Sequence, residues 1–389
     1  MKRNVFLLAM CQALMLTGTS LLLSTSALVG ARLSDVQIFA TLPLALQFLG
    51  MLLSSFSASM LMKKIGRKAG FQLGLIIALG GVSLCGSSIY YGSFIGFSVG
   101  SLLMGLFNGV GAYYRFTAAE VAPGGYKARA ISYVMAGGVI AAFIGPNLAT
   151  LTRDIIPGAE FAGSYYSLLA VYALSIILIS LTTIPPPSAE ERQSGGRGLM
   201  EIMLQPVFLV AVIGALVGYG VMNLIMTSTP LAMEGCGFAF SQTAQVIQWH
   251  VVGMFLPSFF TGRLIERFGV LRVMNAGSVL LIACIAINLH GITYTHFLSA
   301  LIFLGIGWNF LFIGGTTLLT EAYSLPEKAK TQGVNDFIVA ATVTLTALSS
   351  GYLNFTFGWE TINQAALPAV VFVLFAVIWL QRSYRKSNP

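Results

Sequence analysis

The chain repeats itself. Gly50-Met51 is followed by Ser55-Phe56 and then by Met62-Lys63-Lys64-Ile65-Gly66-Arg67. Gly253-Met254 is followed by Ser258-Phe259 and then by Ile265-Glu266-Arg267-Phe268-Gly269. Both glycine anchors keep one offset of 203 residues (253 − 50 and 269 − 66). The first apolar run recurs as well: Val5-Phe6-Leu7, Ala13-Leu14, Gly18 and Thr25-Ser26 return as Val207-Phe208-Leu209, Ala215-Leu216, Gly220 and Thr227-Ser228. Apolar sequences match by chance, but glycines and charges in register do so far less often. Any fold for this chain must therefore be built from two like halves in the same order.

The solvent of those halves is lipid. The chain has 389 residues, 56% hydrophobic and 9% charged, against about 25% charged in a soluble domain. Twelve apolar runs are readable, at roughly 5–29, 37–60, 70–91, 94–119, 129–150, 164–184, 205–230, 242–262, 271–291, 296–320, 331–354 and 363–381. Each approaches the ~20 residues that carry a helix across the hydrocarbon core. Helices satisfy every backbone group internally, and the short alternating segments of a barrel are absent. Met1-Lys2-Arg3 precedes a run of about 25 residues, longer than a leader's apolar region, so that run is expected to stay as a helix. The expected fold is an all-α membrane protein of 12 transmembrane helices in two pseudo-symmetric six-helix bundles, 1–184 and 205–389. A polar linker at 185–204, beginning Pro185-Pro186-Pro187 and running through Glu190-Glu191-Arg192, joins them.

Basic residues set the orientation. With both termini cytoplasmic, 18 of the 21 lysines and arginines fall inside; Arg32 and Arg153 fall outside and Arg115 within a span. That asymmetry follows the positive-inside rule. It accounts for the net charge of +8 through anionic lipid, so no nucleic-acid partner is expected. Cys11, Cys85 and Cys284 lie in different spans and Cys236 in an outer loop, with no CxxC spacing, so neither a metal nor a redox centre is expected. The histidines His250, His290 and His296 are not at ligand spacing. No phosphate-binding GxxxxGK[ST] loop occurs. The chain is thus expected to need no cofactor and to draw on an ion or solute gradient, the proton gradient first. Parallel halves in a membrane are a layout of transporters whose halves rock about a midplane site.

Two charged patterns are duplicated. The turn after the second run reads Ser59-Met60-Leu61-Met62-Lys63-Lys64-Ile65-Gly66-Arg67-Lys68, and its twin Gly262-Arg263-Leu264-Ile265-Glu266-Arg267-Phe268-Gly269. These resemble the GxLaDrxGrR signature of the major facilitator superfamily, in the same two places. The resemblance covers the whole chain and implies a monomeric secondary transporter of a bacterial inner membrane, moving a small organic solute by alternating access. The second copy is the closer, with Glu266 in the acidic position. In the first, Ser59 replaces glycine and Lys63 replaces the acid. In the family that acid is thought to meet a helix N-terminus in the other half; Lys63 could instead pair with Glu327 or Asp336. Glu120 with Lys127 and Arg129 recurs as Glu321 with Lys328 and Lys330. This resembles the family's acid–arginine network that ties span ends to the signature turns. Gly145-Pro146, between Ala141 and Ala149, loosely resembles a motif linked with antiporters and gives a slight lean to efflux. Proton-coupled uptake and an uncoupled facilitator stay open. So does a sensor that has lost transport. The family's arginine in the middle of span four is missing, and Arg115 comes later.

Substrate should meet polar groups near the midplane. Asn108 and Asn309 lie near the centres of runs four and ten, Gln47 and His250 near the centres of runs two and eight. Facing lipid would be costly, so inward orientation is expected, as binding groups or as interhelical hydrogen bonds. Gln12, Asn223 and Trp308 are further lining candidates. Arg115, seven residues beyond Asn108, should share its helix face and could attract an anionic group or snorkel. Asp336, near Gln332 and Asn335, and His250 are the candidate proton carriers; Asp336 could equally be the fixed partner of a basic residue. The abundant aromatics (27 Phe, 14 Tyr) suggest no substrate by number alone.

Overall fold

The computed structural model describes residues 2–34, 39, 42–123, 125–188 and 196–387. The middle of the predicted linker, with Glu190, Glu191 and Arg192, lies outside the described residues. The described residues form helices joined by turns and short loops, with no strand among them. The helices are α1 (Lys2–Leu33), α2 (Leu42–Ile65), α3 (Arg67–Tyr90), α4 (Phe94–Gly111), α5 (Tyr114–Val121), α6 (Lys127–Thr152) and α7 (Ala162–Ser180). There follow α8 (Leu199–Met203), α9 (Pro206–Gly235), α10 (Phe240–Phe255), α11 (Ser258–Phe268), α12 (Val270–His290), α13 (Tyr294–Leu319) and α14 (Lys328–Ser387).

Ten of the described helical stretches are long and apolar enough to cross a membrane. The other two expected runs differ for local reasons. Run 242–262 is split into α10 and α11 at Leu256-Pro257, because proline lacks the N–H that would continue the ladder. Run 331–354 is the first part of α14, where Gln332, Asn335, Asp336 and four threonines dilute the apolar pattern.

The repeated glycines have a conformational cause. Only Gly66 separates α2 from α3, at φ 90° and ψ 158°; only Gly269 separates α11 from α12, at φ 89° and ψ 149°. That region is essentially closed to residues with a Cβ. Gly358, at φ 78° and ψ 170°, interrupts α14 in the same way.

The described chain forms two compact units. The first comprises Met1–Ala122, Gly137–Gly195 and Leu325–Ala340; the second comprises Pro123–Ala136, Gly196–Ser324 and Ala341–Pro389. The start of α6 thus groups with the second unit, and the start of α14 with the first. Within the first unit α2 packs on α4 backbone to backbone: a Cβ on Gly105 would stand 2.0 Å from the Gln47 carbonyl oxygen. Within the second, α10 packs on α13 the same way, a Cβ on Gly305 standing 2.5 Å from the His250 oxygen. Small residues that admit such approach are the usual means of joining helices in lipid. Gln47 and His250 therefore sit at equivalent helix crossings.

Candidate functional site: two charge clusters, a buried ion pair and an aromatic box

In the first unit Gly66 places Arg67 on the opening turn of α3. Its guanidinium reaches Glu120 at the end of α5 through NH2 at 2.7 Å and Nε at 3.3 Å, and donates to Gln332 Oε1 at 2.5 Å. Lys328 Nζ stands 3.4 Å from the other Glu120 oxygen. Beside them Ser59 Oγ donates to the Ala329 carbonyl at 2.9 Å. One carboxylate thus gathers two cations, and α2, α3 and α5 hold the start of α14. A cavity of about 230 Å³ opens here, lined by Lys63, Arg67, Glu120, Lys328 and Pro185 to Pro187.

The second unit carries the counterpart. Arg129, on the start of α6, pairs with Glu266 on α11. Ser132 Oγ donates to the Ser258 carbonyl and accepts from the Gly262 N–H. A Cβ on Gly262 would stand 2.6 Å from Arg129 Cα, so glycine at this point of the turn lets α6 approach. Glu321, outside the spans, has its carboxyl pushed up by burial and drawn back by Lys127. Arg267 lies exposed over the ring of Phe268, Gly269 makes the turn, and Lys330 is half-buried.

These contacts correct the sequence grouping of the charges. Glu120 was expected with Lys127 and Arg129, and Glu321 with Lys328 and Lys330. In the structure Glu120 holds Lys328, Lys127 stands by Glu321, and Arg129 holds Glu266. The starts of α6 and α14 group with the other repeat's helices, so neighbours in sequence are not partners in space. The tie to the signature turns stands, through Arg67 and Glu266. Of the two partners weighed for Lys63, Asp336 is held by Arg115.

Arg115 and Asp336 form a buried pair in the first unit, NH2 to Oδ1 at 2.5 Å, with side chains 7% and 5% exposed. Arg115 also donates to the Ala112 carbonyl at 2.9 Å and lies 4.6 Å over the Phe116 ring. Asn335 donates to the same Asp336 oxygen at 2.8 Å, and Oδ2 has no partner among the described residues. Arg115 is thus the ion partner of Asp336 in the first unit. The expectation that Arg115 shares a helix face with Asn108 is corrected: α4 ends at Gly111 and α5 starts at Tyr114, so the spacing does not run along one helix.

The midplane candidates divide. Asn309 is wholly engaged, accepting from Thr261 at 2.7 Å and donating to the Met254 carbonyl and Ser258 Oγ at 2.6 Å each. It stitches α13 across the proline break of α10 and α11. His250 Nδ1 bonds the Leu301 carbonyl at 2.8 Å, while its Nε2 and both amide atoms of Gln47 are buried with no partner among the described residues. Asn108 accepts from Thr19 at 3.2 Å. Asn223 donates to Thr346 at 2.9 Å. Gln12 is buried in α1.

Trp308 stands inside an aromatic box in the second unit. Phe312 stacks on it at 5.2 Å and 12°; Tyr219 and Phe255 meet it edge-on at 5.2 and 5.8 Å. Gln332, Tyr219, Phe255 and Phe312 were not among the sequence candidates. The signal for two of them was helical spacing: Phe312 is four residues after Trp308, and Tyr219 four before Asn223.

A family profile described as Major Facilitator Superfamily matches residues 5–249 and 240–389. The chain is 39% identical, over 97% of its length and 95% of the other protein's, to the riboflavin transporter RfnT of Brucella anthropi. It is 28% identical, over 87% and 83%, to the uncharacterized MFS-type transporter YdeG of Bacillus subtilis. Among solved structures, the E. coli fucose:proton symporter FucP superposes with a TM-score of 0.75 at 16% identity, covering 96% of this chain and 98% of that one. The human organic anion transporter MFSD10 does so at 0.76 and 14%, covering 97% and 99%. Duplicated turns, reciprocal charge clusters, full-length relatives and a shared fold agree: the chain is a multi-pass membrane protein belonging to the major facilitator superfamily of secondary transporters.

Proposed function

We propose that this transporter carries riboflavin, or a flavin of the same fused-ring and polyol chemistry, across the bacterial inner membrane. The observation that carries the reading is the 39% identity to a riboflavin transporter over nearly the whole of both chains. Twelve crossings, both termini in the cytoplasm and a single chain as the working unit complete it. The bundles are 1–184 and 205–389, joined by the 185–204 linker. Alternating access follows from the two charge clusters. The start of α14 is held by Ser59, Arg67 and Glu120, and the start of α6 by Glu266 and Ser258; the carrier opens by parting these contacts and closes by re-forming them. Asn108 and Gln12, both in the first unit, suit the polyol hydroxyls; Asn223 is a polar candidate of the second unit. Asn309, Gln47 and His250 serve as helix-crossing supports.

Asp336 is the proton carrier in this reading. Its charge is balanced by Arg115, its second oxygen has no partner among the described residues, and a proton taken up there would release Arg115. Gly145-Pro146 supports no direction by itself, since a Cβ on Gly145 would stand 2.9 Å from the Thr17 carbonyl of α1, which accounts for the glycine by packing. The test is flux of radiolabelled riboflavin into proteoliposomes with and without an imposed pH gradient. Saturable flux above protein-free vesicles, driven by the gradient, is expected, and its sign gives symport or antiport. Flux that ignores the gradient would remove the proton from the account; no flux of riboflavin would remove the substrate.

A further inference from the structure

The Trp308 box holds an unspent donor. Trp308 is 1% exposed, and its Nε1–H has no partner among the described residues. A buried N–H without an acceptor carries an uncompensated desolvation cost, removed when an acceptor arrives. Phe312, 4% exposed, fixes the indole from one side by stacking. Tyr219 also meets Phe312 edge-on at 5.1 Å. Unlike the indole, Tyr219 and Phe255 are only half-buried, so each keeps exposed surface that the sealed indole lacks. The three helices that carry the box are α9, α10 and α13, all of the second unit, and Asn309 and His250 lock α10 and α11 onto α13 directly beneath it in sequence. The box is rigid where it holds Trp308 and open where it presents Tyr219 and Phe255.

Resting on the flavin reading above, we propose that Tyr219 and Phe255 form the platform on which the planar heteroaromatic ring of the substrate stacks, with Trp308 Nε1–H donating to a ring carbonyl or ring nitrogen. A fused ring with acceptors along its edge meets both demands at once; an aliphatic sugar meets neither. The platform sets selectivity for the ring system, and the polyol is a secondary determinant. Trp308→Phe keeps an aromatic ring against Phe312 and removes the donor together with part of the indole volume, so its binding is read beside Tyr219→Leu and Phe255→Leu, which leave the indole in place.

The experiment is quenching of flavin fluorescence on the purified full-length protein, titrated with riboflavin, with lumichrome as ring without polyol, and with ribitol as polyol without ring. Wild type is expected to bind riboflavin and lumichrome and to ignore ribitol. Tyr219→Leu and Phe255→Leu should each weaken both ring ligands by about tenfold or more, and Trp308→Phe by about tenfold. Trp379→Phe, 56% exposed on α14, is the control and should bind as wild type. If wild type binds riboflavin but all three box variants bind within twofold of it, the platform is wrong and the flavin reading stands. If ribitol competes and lumichrome does not, the platform is wrong as well. If wild type binds no flavin, the substrate class falls and takes the platform with it.

Discussion

Replacing Asp336 by Leu should harm the protein more than replacing Arg115 by Met, and replacing both should harm it least. The pair is 2.5 Å long and both side chains are under a tenth exposed, so solvent screening does little for either ion. Removing one partner of such a pair costs about 3–5 kcal/mol, because the other charge stays buried alone. The two single losses are unequal for a chemical reason. A lone Asp336 can take a proton and become neutral; a lone Arg115 stays charged at any accessible pH. Arg115 would keep only the Ala112 carbonyl and the Phe116 face. Arg115→Met with Asp336→Leu replaces the pair by apolar atoms of like size, which elsewhere is neutral or stabilising. The double-mutant cycle should therefore give a coupling energy of about 3 kcal/mol or more, at the upper end for contacting residues. Unfolding of the four proteins in mixed micelles measures it. Single losses below about 1 kcal/mol, or losses that simply add, would show that the pair is not the buried, mutually dependent contact described here. Flux through the double variant separates stability from coupling: it should be folded and blind to an imposed pH gradient.

Other expectations follow from single positions. Gly66→Ala and Gly269→Ala force a Cβ into a glycine-only conformation and should each cost about 1–3 kcal/mol, read as lowered thermal stability. Gly105→Ala drives a methyl to 2.0 Å from the Gln47 oxygen and should cost about 1–3 kcal/mol by overpacking; Gly80→Ala, with nothing within 4 Å, should be neutral or better in the same melting assay. Outside the spans, the Glu160 carboxyl is held below the usual 4.5 by its hydrogen bond to Arg32 and its contacts with Arg153. A lowered folded value means the contribution is complete above 4.5 and is lost as pH falls through the lower value. Wild type should lose stability in that acid window relative to its value at pH 7, and Glu160→Gln should lose less.

Much of the architecture was legible because lipid imposes coarse rules. Run lengths located the helices, and Gly66 and Gly269 announced two turns whose dihedral angles nothing else can adopt. The break at Pro257 was visible as a proline inside a run, yet run length alone merged α10 with α11. The charge pairing was not legible. Glu120 and Lys127 are close in sequence, but their partners are reached only after the starts of α6 and α14 group with the opposite repeat, which is a property of the folded units. Arg115 was misplaced on a face because the α4–α5 break at Ala112-Tyr113 carries no proline or polar signal. The aromatic box was hidden by composition: among so many Phe and Tyr, only spacing around Trp308 and Asn223 distinguishes Tyr219 and Phe312.

In the proposed alternating-access cycle the start of α14 leaves α2 once per turnover. A Cβ on Gly333, in the first turns of α14, would stand 3.3 Å from Ser59 Cβ, close to the Cβ separation of a disulfide, so Ser59→Cys with Gly333→Cys tests it by cross-linking, in a background where the exposed Cys236 is replaced by Ser. Oxidation should stop riboflavin flux in proteoliposomes, and reduction should restore it. Full flux through quantitatively cross-linked protein would contradict the account.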